Sequence, residues 1–61
     1  MGPAVEILDV LAEGGELGTT DVSRRTGISA STVSRQLGTL TRVGLVEHVA
    51  ATGRYRLGVR T

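Results

Sequence analysis

Ser31, Thr32, Ser34, Arg35, Thr39 and Arg42 put hydroxyls and guanidinium groups along one stretch of chain, with Val33, Leu37 and Leu40 interleaved at helical spacing. On a helix the three apolar residues share an inner face and the polar ones are left outside. Such a face makes hydrogen bonds rather than breaking covalent ones. Hydroxyls donate and accept, and the planar fork of arginine matches a phosphate or the edge of a guanine. Arg35 matters most in this reading. It points outward, and Ser31 and Thr32, not acids, stand at i−4 and i−3. Ser29 reads as the N-cap of the helix.

Catalysis finds no foothold. The chain has one histidine, His48, and no cysteine, and neither paired carboxylates around a glycine-rich turn nor a phosphate loop occurs. Nothing there assembles a nucleophile, a base and an oxyanion site, so no enzyme, no cofactor and no metal are expected. His48 lacks a second ligand at metal spacing and reads as structural or merely exposed.

A face of this kind is useful only if another element braces it. Val22, Ser23, Gly27 and Ile28 supply that brace: a second helix over about 20–26 meets the third, about 30–43, across a tight glycine turn. Thr20 reads as the N-cap of this second helix, with Asp21 in its first turn, where the helix dipole favours an acid. Ser23 is small where the helices touch. Gly27 sits where positive φ is needed, and Ile28 plugs the corner. Arg24 and Arg25 lie on the outer side, and Gly44 closes the third helix.

The first helix, about 3–13, opens at Pro3, carries Ala4, Ile7, Leu8 and Leu11 as its buried stripe, and stops at Gly14-Gly15. Val5 and Val10 widen the stripe, either by partial burial or as a dimer contact. Glu16-Leu17-Gly18 forms a short extended link with Leu17 inward. Strands over about 45–50 and 54–59, turning around Thr52-Gly53, make a hairpin directly after the third helix. Arg54 and Arg56 alternate with Tyr55 and Leu57, so one face packs on the helices and the other is free to meet the backbone or the minor groove of a nucleic acid. Tyr55, the only aromatic of the Phe, Trp and Tyr class, caps the core. The expected fold is mainly α with a small β-hairpin: a single winged helix-turn-helix domain, three helices plus a wing, over residues 1–61.

Sixty-one residues bury only about 60% of their unfolded surface, so the domain acts through its exterior. The net charge of +1 conceals a polarity. Five acids and no base precede Ser23, whereas seven arginines and a single acid, Glu47, follow from there. The absence of cysteine favours a reducing, cytoplasmic setting, and no apolar run approaches the roughly 20 residues of a membrane span. No membrane partner is expected. The flanking valines of the first helix offer too little apolar area for a stable dimer, so the chain is expected to be a monomer in isolation. A dimer would form on DNA or through a further domain.

The run from Gly27 to Leu37, GISASTVSRQL, followed by Leu40, Gly44-Leu45-Val46 and Gly53-Arg54-Tyr55-Arg56-Leu57-Gly58, resembles the N-terminal winged helix-turn-helix domain of the IclR-type transcriptional regulators. Ile7-Leu8-Asp9-Val10-Leu11 is similar to the first helix of that family. The Ser-Thr-Val-x-Arg element also occurs in other winged-helix regulators, including the MarR type, and the closing Tyr-x-Leu-Gly is more telling. The resemblance covers nearly the whole chain. It implies binding to double-stranded DNA in transcriptional regulation, with the third helix in the major groove, the wing on flanking backbone, and Ser31, Thr32, Ser34 and Arg35 as groove contacts. Ser34 stands where the family usually has a bulky apolar or aromatic residue, and Gln36 where an apolar one is common, which makes this face more polar. The family also carries a C-terminal effector-binding domain, and this chain ends where the linker to it would begin, as an excised or a minimal domain would. Arginine on both helix and wing favours DNA over the alternative, a winged-helix protein-interaction module without DNA binding.

Overall fold

The computed structural model describes residues 2–58. In chain order the elements are α1 (Pro3–Gly14), β1 (Glu16–Leu17), α2 (Thr19–Thr26), α3 (Ala30–Arg42), β2 (Val46–Val49) and β3 (Arg54–Leu57), which form a mainly helical winged helix-turn-helix. Val59, expected to end the second wing strand, lies outside the described residues.

The apolar spacing of each element converges on one core. Ile7 and Leu11 from α1, Leu17 from β1, Val22 from α2, Val33, Leu37 and Leu40 from α3 and Val46 from β2 are all buried. Val10 packs against this cluster, whereas Val5 is 51% exposed. Ile28 and Tyr55 cover the core from the turn and from the wing.

Gly27 takes φ 77°, in the left-handed region, and its amide donates to the Ser23 carbonyl at 2.9 Å. A side chain there would be strained, which is why glycine ends α2. Side chains of the same turn reinforce it. Ser23 Oγ donates to the Ile28 carbonyl at 2.5 Å, and the Ile28 amide donates to Thr26 Oγ1 at 3.2 Å. The turn therefore holds α3 at a set angle to α2 through hydrogen bonds as well as packing.

Several expected boundaries move: α1 runs on to Gly14, α3 ends at Arg42, and β3 ends at Leu57, leaving Gly58 outside the strand. Gly18, not Thr20, is the N-cap of α2, and the helix starts at Thr19. Asp21 decides this: its Oδ2 accepts from the Gly18 amide at 3.5 Å, the reciprocal half of a capping box three residues on. Thr20 is left exposed in the first turn. A further shift is at the start of the wing. Leu45 stays outside β2 because its amide caps α3 by donating to the Leu40 carbonyl at 3.0 Å, while the Gly44 amide donates to Thr41 at 3.2 Å. This is the paired bonding of a Schellman motif, and it commits the Leu45 donor to the helix. At the other end of β2, Ala50 belongs to the turn rather than to the strand.

The link at Glu16–Leu17 is more than a connector. It forms a third strand, and the sheet order is β1-β3-β2, antiparallel throughout. Leu17 lies opposite Tyr55 on the core side, and Glu16 lies opposite Arg56 on the outer side. The wing is thereby pinned to the helices along both edges of β3. Close approach continues beyond β3, where a Cβ on Gly58 would stand 2.9 Å from the Gly44 carbonyl oxygen. Only glycine lets the chain pass that backbone undisturbed, which gives the last residue of the Tyr-x-Leu-Gly element a packing reason.

Gly38 is a contrasting case. It lies inside α3, its φ is not positive, and nothing comes within 4 Å of where a Cβ would be. Glycine within a helix costs about 0.5–1 kcal/mol relative to alanine. Gly38→Ala should therefore raise the thermal midpoint by a few degrees, measured by circular dichroism, and an unchanged or lower midpoint would contradict this account of the helix.

Candidate nucleic-acid interface

α3 presents the polar face that its sequence spacing predicts. Ser29 caps it, with its Oγ accepting from the Thr32 amide at 3.4 Å and donating to Thr32 Oγ1 at 3.0 Å. Ser31, Ser34, Arg35, Thr39 and Arg42 are exposed, and Thr32 is half-buried beside the cap. Ser31, Arg35, Gly38 and Arg42 follow one another at i, i+4, i+7 and i+11, forming a single outward row. Gly38 leaves a notch between the two arginines.

The hydroxyls differ in what remains available to a ligand. Thr39 Oγ1 donates to the Arg35 carbonyl at 3.2 Å, so its proton is used within the helix and its oxygen is left as an acceptor. Thr32 has lone pairs engaged by Ser29 and keeps its own proton to give. Ser34 makes no hydrogen bond to another described side chain.

Arg24 and Arg25 lie in the last turn of α2, and Arg42 in the last turn of α3; all three are exposed. At these positions cations also complement the negative end of the helix dipole. The wing alternates as its sequence predicts, with Arg54 and Arg56 exposed and Tyr55 and Leu57 half-buried. Tyr55 packs on the core and stacks against His48, ring centroids 4.8 Å apart at a tilt of 38°. Its place is therefore structural.

The two wing arginines are not equivalent. Arg54 is opposite Val49, next to the turn, while Arg56 is opposite Glu47 and donates from Nε to its Oε1 at 2.8 Å. Among the described residues this is the only ion pair. Arg24, Arg25, Arg35, Arg42 and Arg54 thus have no carboxylate within salt-bridge distance among those residues. The acid on Arg56 is the feature that sequence reading missed. Sequence carries no signal for it, because the turn from Ala50 to Gly53 that sets Glu47 across from Arg56 is closed by its own backbone hydrogen bonds.

Among the described residues no helix is long and apolar enough to cross a membrane, and no group of three or more His, Asp or Glu is placed to hold a metal ion. No curated protein and no solved structure matches the chain significantly. The profile of the IclR helix-turn-helix domain matches residues 4–50, which span α1, the helix-turn-helix and the first wing strand. A capped polar helix, a glycine turn that braces it and an arginine-bearing wing thus occur on a chain that belongs to the IclR helix-turn-helix domain family, a DNA-binding family of transcription regulation.

Proposed function

We propose that the domain binds double-stranded DNA by laying α3 in the major groove and the wing on the flanking backbone. The groove admits one helix, and the N-terminal half of a recognition helix reaches base edges in this geometry. Ser31, Thr32, Ser34 and Arg35 then face bases. Arg24, Arg25, Arg42 and Arg54 hold phosphates, Thr39 offers its free lone pairs to a donor on a base edge, and Arg56 shares the outer face of β3 with Arg54. The observation that carries this reading is the run of five exposed arginines on α2, α3 and the wing with no carboxylate partner among the described residues. An ordinary solvated surface intersperses the two signs.

Salt dependence tests it. With about four arginines engaging phosphates, log affinity for a duplex should fall against log salt with a slope near −4. Fluorescence anisotropy on a labelled duplex at several salt concentrations measures that slope. Affinity that is flat from low to high salt would overturn the reading and leave the protein-interaction module in its place.

A further inference from the structure

Glu16, Arg56 and Glu47 lie side by side across the three strands, on the sheet face that points away from the core. The arginine sits between two carboxylates. Glu47 takes its Nε at 2.8 Å, and Glu16 accepts from Thr52 Oγ1 at 3.2 Å, which ties the second acid to the wing turn. Both members of the ion pair remain more than half exposed, with side chains 53% and 55% accessible. A pair this open contributes little to folding, because water screens it and holding two long side chains together costs entropy. Its consequence therefore falls on whatever else would bind Arg56.

A DNA phosphate would bind it through the same charge-assisted geometry that the carboxylate uses. Resting on the DNA-binding reading above, we propose that Glu47 is an internal competitor for Arg56: by holding its Nε it offsets the charge that would otherwise draw a phosphate and leaves Arg54 as the working cation of the wing. Glu47 thereby sets the affinity of the domain from a position that contacts no DNA.

The test is a set of four chains: wild type, Glu47→Gln, Arg56→Ala and the double variant, each titrated with one duplex over a range of salt. Glutamine keeps the shape and removes the charge, and exposed positions of this kind leave folding intact. Glu47→Gln in the wild-type background should tighten binding about 3- to 10-fold at low salt and steepen the salt slope by about 0.9, the signature of one added phosphate contact. In the Arg56→Ala background the same substitution should leave the slope unchanged. Equal effects in both backgrounds would mean simple loss of a repelling charge and would overturn the proposal, as would no effect in either. A wild-type chain whose binding ignores salt fails on the DNA reading itself, a result distinct from wild-type binding with a normal slope that Glu47→Gln does not alter.

Discussion

Leu37→Ala should leave a large part of the chain unfolded at room temperature. Leu37 is 0% exposed and stands on α3 between Val33 and Leu40, at the centre of the buried face that meets the other helices. Truncating a buried leucine to alanine costs about 2–5 kcal/mol through lost transfer energy and the cavity left behind. A domain below 70–80 residues draws only about 3–5 kcal/mol from a single core. The two magnitudes are comparable, so one cavity the size of the lost isopropyl group competes with the whole stability. Val43→Ala is the matched control, since Val43 is 63% exposed and should move the midpoint little. Urea titrations of both variants, followed by helical circular dichroism, check this. A Leu37→Ala chain as resistant to urea as the Val43→Ala chain would show that α3 is held by something other than this core.

The same face explains why most of the fold is legible in sequence. Val33, Leu37 and Leu40 belong to a thirteen-residue helix, long enough for its period to be read directly, and Gly27 and Ser29 mark its approach with local chemistry that acts within a few residues. Leu17 shows where such reading stops. Its inward placement follows from its being the one apolar residue in the link, but that the link is a strand does not, because two residues carry no period and the partner strand lies some forty residues later. The cap of α2, expected at Thr20, stands at Gly18, because the Asp21 carboxylate three residues on accepts from the Gly18 amide.

Register is the harder case, and it governs the candidate site. In a hairpin, a turn one residue shorter shifts every cross-strand pair and would set His48, not Glu47, opposite Arg56. The sequence pattern around Thr52-Gly53 leaves the turn length open, whereas the Gly53 and Thr52 amides, both donating to the Val49 carbonyl at 2.8 and 3.2 Å, close it. Whether an arginine on the wing is available or engaged is thus decided by a backbone hydrogen bond at the turn. No composition or charge count contains that information.

On the helix the corresponding question is which arginine reads and which merely holds. Arg35 is exposed in the first half of α3, in the outward row with Ser31, and no carboxylate pairs with it among the described residues. A side chain there reaches base edges when the helix enters the groove. Arg35→Ala should therefore weaken binding to a preferred site by about 1–3 kcal/mol and reduce the preference for that site over a scrambled duplex. In the proposed docking Arg54, on the wing beside the turn, meets DNA backbone alone. Arg54→Ala should weaken both duplexes alike and make the salt slope shallower by about 0.9, because a phosphate contact carries charge and no base identity. The two variants are exposed substitutions, so neither should disturb folding, and thermal midpoints equal to that of the wild-type chain confirm that the comparison is fair. Anisotropy titrations of each variant against a preferred and a scrambled duplex separate the roles. Loss shared equally by both duplexes in Arg35→Ala, together with altered preference in Arg54→Ala, would exchange the parts assigned to helix and wing.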